Sequence, residues 1–229
     1  NITDRPQWKV IKDGSKSYVD KLLQKSQFLI KKNTTVVAVL CKQGVVEITV
    51  EESAGHVVQQ FDHVIMACHS DQALGLLVEA TTEQQNVLSK LAYSNNEVVL
   101  HTDISLLPAN GSTWSSWNYR IRSEFTQSAT LSYSMNILQG IESSTQFIVT
   151  LNDTNNIDPK AILGVYQYSH PVYNQGTIIA QSLRSTINGK NNVWFCGAYW
   201  YAGFHEDGVR SALDVVKALG VDIDILTYD

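Results

Sequence analysis

Apolar and polar side chains alternate most clearly over residues 45–50, where Val46, Ile48 and Val50 are separated by Glu47 and Thr49. A period of two sends one set to a single face, so this stretch is a half-buried strand. A β-branched apolar run at 34–40 precedes it, with Gln43-Gly44 as the turn between them. Ser53-Ala54-Gly55 then turns the chain into a further strand at 57–61, which completes a β-meander. The next run, His63-Val64-Ile65-Met66-Ala67-Cys68, is nearly all apolar. That is the pattern of a strand buried on both faces of a larger sheet.

Helical spacing appears elsewhere. Asp13-Gly14-Ser15 opens a helix over 16–25, with Tyr18, Val19, Leu22 and Leu23 on one face and Ser15 or Ser17 as cap. Ser70 or Asp71 caps a helix running to 78, and Thr82 with Gln85 has capping-box spacing for another reaching about 92. From 97 to 168 strand-like runs recur at 98–102, 115–121, 130–137, 147–151 and 163–168, joined by segments rich in Asn, Gly, Ser and Asp. They predict a second, antiparallel or mixed sheet in a separate lobe, followed by a helix over 178–186.

The C-terminal part is the clearest. A buried strand over 193–199 runs into a glycine-bearing loop and then a helix that keeps Val209, Ala212, Leu213, Val216 and Leu219 on one face. Arg210, Asp214 and Lys217 are spaced for ion pairs on the other face, Asp207 is placed as the cap, and Gly220 as the stop. The strand–loop–helix geometry turns backbone N–H groups and a positive dipole end toward a concavity where an anion or a polar cofactor edge can sit. Strands and helices of both kinds together predict a mixed α/β (α+β) fold.

Composition narrows the function. The chain has 229 residues, 44% apolar and 17% charged, an ordinary globular balance with room for a core. A formal net charge of −5 supplies no basic field for nucleic acid. Apolar runs such as 73–78 are too short to span a bilayer, so no transmembrane segment is expected. Cys41, Cys68 and Cys196 lie in apolar strand-like runs, which favours free thiols in a reducing, cytoplasmic compartment. The Asn-x-Ser/Thr sequons at Asn1, Asn33, Asn110 and Asn152 are then chance matches. No methionine stands at position 1 and no two glycines sit two apart, so G-x-G-x-x-G is absent; the expectation is a later portion of a longer chain.

His205-Glu206-Asp207 has the residue types of a metal or acid–base cluster, but three neighbours at a helix start do not converge on one point. An acidic N-terminus that complements the helix dipole explains them, and no metal is assigned. Of the other histidines, His69 follows a buried strand, where open α/β sheets place ligands. Trp114, Trp117, Tyr119 and Tyr133, with Tyr199, Trp200 and Tyr201, read as core or as the lining of an apolar pocket. Only Arg120 and Arg122 lie near the first group, which argues against a single-stranded nucleic acid platform.

Taken together, these segments resemble the flavin-containing amine oxidoreductases, in particular a subgroup labelled predicted NAD/FAD-binding proteins. The residues that carry the likeness are Arg5-Pro6-Gln7-Trp8, Asp13-Gly14-Ser15, Asn33-Thr34-Thr35-Val36 and the run from His63 to Leu74. Trp114-Ser115-Ser116-Trp117-Asn118-Tyr119, Leu138-Gln139-Gly140, Phe195-Cys196-Gly197-Ala198-Tyr199 and Gly203-Phe204-His205-Glu206-Asp207-Gly208 complete it. The resemblance implies a two-lobe flavoprotein: residues 1–75 and 188–229 as segments of an FAD lobe, and 76–187 as a substrate lobe. It implies FAD contacts at Val36, Gly197, Ala198, His205, Glu206 and Val209, largely through the backbone. Ala198 stands where many amine oxidases carry a glutamate on the ribityl chain. Trp117, Tyr119 and Tyr199 are implied substrate-lining residues, while catalytic residues are not assigned. The implied activity is hydride transfer from a small-molecule substrate, an amine or a lipid or acyl compound, to the flavin, with the first βαβ unit and its glycine fingerprint missing from this chain. A non-catalytic flavin-lobe remnant that serves as a binding or partner module is the alternative.

Overall fold

A computed structural model describes residues 9–120 and 130–221. In chain order, α1 (Ser15–Lys25) precedes β1 (Thr35–Lys42), β2 (Val45–Glu52), β3 (Gly55–Phe61) and β4 (Val64–Met66). Next come α2 (Ser70–Leu76), α3 (Thr82–Leu88), β5 (Tyr93–His101), β6 (Trp117–Tyr119) and β7 (Leu131–Ser134). They are followed by α4 (Met135–Gln139), β8 (Ile148–Leu151), β9 (Ile162–Pro171), α5 (Gln175–Ser182) and α6 (Arg184–Ile187). The last elements are β10 (Val193–Phe195) and α7 (His205–Ala218). Two compact units separate: one takes residues up to Leu29 together with Asn95–Ser169, the other Ile30–Ser94 together with residues from His170 on.

The second unit contains the meander, with β2 between β1 and β3 in antiparallel register, Val39 opposite Ile48 and Val50 opposite Val57. Val46 and Val50 are buried, as the alternation requires. β4 and β10 form a parallel pair with Val64 beside Val193 and Met66 beside Phe195. All four side chains are buried, but Ile65 between them is 45% exposed, so β4 is covered on one face and not, as its apolar run predicts, on both. The far edge of β10 is closed by the preceding loop: Phe195 N–H donates to Asn188 Oδ1 at 2.6 Å, and Gly189 N–H to the Val193 carbonyl at 2.8 Å. Gly189 has φ of 81°, and a Cβ there would come within 2.7 Å of the Trp194 ring. Leu88, Leu91, Ile187 and Phe195 fill the core, each fully buried large side chain contributing about 1.5–3 kcal/mol.

Several boundaries differ from the sequence expectation. The capping boxes fall one residue or two earlier. Thr81, with extended backbone, accepts Gln84 N–H, and Gln84 Oε1 accepts Thr81 N–H. His69 N–H donates to Gln72 Oε1 in the same way, so His69 rather than Ser70 or Asp71 stands at the cap of α2. Ser70 instead buries its hydroxyl, donating to the Leu91 carbonyl at 2.6 Å. The helix expected over 178–186 divides at Leu183 into α5 and α6.

In α7 the cap is Phe204, and Asp207 is three residues on, its carboxylate accepting the Phe204 N–H at 2.9 Å. Ser211 and Val215 form the buried line of the helix, while Val209 is 44% exposed. The inward turn of Ser211 explains the rotation of the face: its hydroxyl oxygen accepts Gly197 N–H and donates to the Gly208 carbonyl. Asp214 is bridged by Arg184 of α6 at 2.7 Å, not by its own helix, and Arg210 lies 4.1 Å above the Tyr201 ring.

The first unit is built on a sheet of order β6-β7-β8-β5-β9. A buried polar string crosses three of its strands. Asp103 N–H donates to His101 Nδ1, which leaves the ring proton on Nε2 to donate to Thr150 Oγ1 at 2.8 Å. Thr150 and Ser132 hydroxyls are a further 2.8 Å apart. Val99, Leu106 and Ile157 form the small core beside it. The expected strand over 130–137 ends at Ser134, where the chain turns into α4 and leaves through Gly140 at φ 64°. That over 115–121 is reduced to β6; Ile121, Arg122 and the Arg5–Trp8 segment lie outside the described residues. None of the residues of α1 is buried.

Candidate functional site

Because β4 and β10 are parallel, their carboxyl ends open on the same side, the side where α/β sheets gather ligands. β4 delivers Cys68 and His69 there, and β10 delivers Cys196 and Gly197. The chain after Gly197 takes one 3-10 turn through Ala198–Trp200 and reaches the start of α7 at His205. Gly197 is needed because a Cβ at that position would overlap the Tyr199 ring. Its N–H is held by Ser211 Oγ at 2.8 Å, which ties the loop to the helix. Gln181 of α5 fixes the other end, its amide donating to the carbonyls of Tyr199 and Tyr201 at 2.9 and 2.8 Å.

Around this loop the second unit assembles phenols, thiols and an imidazole. His69 stacks on Tyr93, with ring centroids 4.2 Å apart and planes 13° apart. The Tyr173 hydroxyl reaches Gly203, whose φ of 91° and missing side chain make the approach possible. Tyr199 and Trp200 are 2% and 3% exposed, and the Tyr199 hydroxyl and Trp200 Nε1 find no partner among the described residues. Burial raises the pKa of Tyr93, Tyr173 and Tyr199 and of the Cys68 and Cys196 thiols, with the Asp71 charge adding to the effect on Tyr93. These groups are therefore neutral donors near pH 7.

The flank of the loop is tightly braced. Arg184 donates to Asp214 and to the Ser211 carbonyl at 2.8 Å, and its guanidinium lies 5.3 Å from the Trp200 ring centroid. Burial alone would raise the Asp214 carboxyl, but the Tyr201 hydroxyl and the Arg184 and Arg210 guanidinium groups hold it below the usual carboxylate range.

The sequence-derived site residues are placed as follows. Gly197, Ala198, His205, Glu206 and Val209 sit together on the β10–α7 connection, with His205, Glu206 and Val209 exposed. Val36 is on β1, just before the register shift between Val36 and Ala38. Tyr199 is in the same unit, under the loop, whereas Trp117 and Tyr119 belong to β6 of the other unit, 50% and 64% exposed. Tyr93, Tyr173 and Cys68 were not singled out from the sequence as site residues, because contacts such as His69 with Tyr93 and Tyr173 with Gly203, formed between separate elements, have no local signal. Among the described residues no three His, Cys, Asp or Glu side chains gather as a metal site. No described helix is long and apolar enough to cross a membrane.

No protein-family model matches this chain, and no curated protein does. Solved structures do match. A fatty acid isomerase from P. acnes that produces CLA superimposes with a TM-score of 0.64 at 12% identity, over 91% of this chain and 52% of that one. A putrescine oxidase redesigned in its cofactor binding gives a TM-score of 0.58 at 11% identity, over 90% of this chain and 53% of that one. The chain has a mixed α/β fold that corresponds to part of an amine-oxidase-like fold, and it spans about half the length of these matched structures.

Proposed function

We propose that this chain supplies later segments of an FAD lobe, together with a substrate lobe, to an FAD-dependent oxidoreductase. The observation that carries the reading is the loop at the carboxyl ends of β4 and β10, set in a fold shared with half of an oxidase and of a fatty acid isomerase. The residues present suit an uncharged, planar group with polar edges. Two buried polar atoms, Tyr199 Oη and Trp200 Nε1, have no partner among the described residues, and Gly197 leaves the room that the Tyr199 ring occupies. A flavin bound there would accept a hydride from the substrate; the protein supplies position and polarity.

Gly197 and Ala198 would line the ribityl chain, and His205, Glu206 and Val209 would meet the cofactor through the first turn of α7. The acidic Glu206 and Asp207 side chains there disfavour phosphate beside them and leave backbone contact as the mode of binding. Val36 would meet the adenine from β1. The pyrophosphate grip is not in this sequence, since no G-x-G-x-x-G occurs. The substrate is a small molecule, an amine or a lipid or acyl compound, and Tyr199 is its proposed lining residue in this unit.

Titration of the isolated 229-residue chain with FAD, followed by quenching of flavin fluorescence, tests the division of labour. Weak or undetectable binding is expected. Tight stoichiometric binding by this chain alone would contradict the assignment of the phosphate grip to another segment.

A further inference from the structure

Gln181 at the end of α5 and Arg184 at the start of α6 hold the connection between β10 and α7 from one side. Arg184 takes its beginning, donating to the Ser211 carbonyl at 2.8 Å, while Ser211 Oγ accepts the Gly197 N–H. Gln181 takes the turn itself. Its Nε2 donates to the Tyr199 carbonyl at 2.9 Å and to the Tyr201 carbonyl at 2.8 Å. Both partners are acceptors only, so the amide has a single orientation and both of its N–H groups are used. A 3-10 turn that runs out into a loop leaves its last carbonyls without a backbone partner, and Gln181 supplies one to each. The backbone bonds described within the turn are Trp200 N–H to the Gly197 carbonyl at 3.2 Å and Tyr201 N–H to the Ala198 carbonyl at 3.0 Å.

The element that carries Gln181 is itself anchored. Ala180 beside it is wholly buried, and Thr177 one turn earlier donates from Oγ1 to the Val172 carbonyl at 2.8 Å and from its N–H to Asn174 Oδ1 at 3.1 Å. The turn that Gln181 grips carries the Tyr199 and Trp200 rings, 5.2 Å apart, whose buried Oη and Nε1 have no partner among the described residues. Where those two atoms stand follows from the backbone of the turn, and a side chain clamped by two bonds at once fixes that backbone more closely than either bond alone. We propose that Gln181 is a positioning residue of the flavin site, acting through the Ala198–Trp200 turn to hold Tyr199 and Trp200 where their polar atoms meet the cofactor. The proposal rests on the flavin reading. Because both N–H groups of the amide go to protein carbonyls, Gln181 acts through the turn and not by donating to the ligand.

Two variants of nearly equal bulk test it. Gln181→Met keeps the length and donates nothing, whereas Gln181→Glu sets a carboxylate, an acceptor, against two carbonyls. In the 229-residue chain the Trp200 and Tyr201 amides should exchange hydrogen about tenfold faster than in wild type near neutral pH in both variants, while amides of β2 keep their wild-type protection. Protonation of the introduced carboxyl restores one donor. The excess exchange of Gln181→Glu over wild type should therefore shrink as pH falls through the ordinary carboxylate range of about 4–5, and that of Gln181→Met should not. In the full-length protein both variants should bind FAD about fivefold or more weakly and shift its absorption maximum. Wild-type exchange at Trp200 and Tyr201 in both variants, a Gln181→Glu defect indifferent to pH, or full-length variants that match a yellow wild type in FAD affinity and spectrum would each overturn the proposal. A full-length wild type that holds no flavin would overturn the flavin reading, and the proposal with it.

Discussion

His101→Leu isolates the polar string across the sheet of the first unit. The replacement is apolar and of comparable bulk, so it removes two hydrogen bonds while leaving little cavity. Thr150 loses one of its two partners, keeping Ser132, and the part-buried Asp103 N–H loses its acceptor. His101 and Thr150 are wholly buried, and leaving a buried polar group short of a partner costs about 1–3 kcal/mol. A loss of about 2–4 kcal/mol near neutral pH is therefore expected. The pH dependence is the sharper test. Burial holds the His101 pKa below its ordinary value, with Asp103 opposing in part. The unfolded chain then binds more protons than the folded one as pH falls through the ordinary imidazole range of about 6.5. Stability linked to His101 is present above that range and is lost as pH drops below it, at a limiting slope of about 1.4 kcal/mol per pH unit. Urea unfolding of both proteins at about pH 7.5 and about pH 5.5, followed by circular dichroism, reads the difference. The gap between wild type and variant should narrow at the lower pH. Parallel pH dependences would refute the assignment of a neutral, doubly bonded His101.

Gly197→Ala should force the Tyr199 ring out of place and cost about 1–3 kcal/mol, measured as a fall in thermal midpoint together with weaker flavin binding by the intact protein. Arg184→Met keeps the apolar stem but loses the bonds to Asp214 and the Ser211 carbonyl; a cost of about 1–3 kcal/mol is expected. Combining it with Asp214→Asn should cost less than the sum of the two, by at least about 0.5 kcal/mol in a double-mutant cycle. Asp214, with its lowered pKa, should contribute above the ordinary carboxylate range and lose that contribution as pH falls through the depressed value, which acid titration of the Asp214→Asn variant would detect.

Much of the second unit could be read from local pattern. The alternation through Val46, Ile48 and Val50 marked β2, the apolar run through Val64 and Met66 marked β4, and the glycine loop before an amphipathic helix marked β10 and α7. What resisted reading was set by partners far along the chain. Val209 was expected inside and is exposed, because Ser211 turns inward to hold Gly197. Asp214 was expected to pair along its own helix, but Arg184 approaches from α6. The strand expected to continue past Ser134 gives way to α4, since a short mixed run satisfies either period. At the site, the glycine loop was visible in the sequence. The approach of Tyr93 and Tyr173 to it was not, because β5 and the segment before α5 arrive there only once the sheets have formed.

The visible absorption spectrum of the full-length protein tests the central claim most directly. A flavin spectrum is expected, with stoichiometric FAD released on denaturation and its content reduced by Gly197→Ala. Colourless, folded protein that shows no change on addition of FAD would contradict the flavin site.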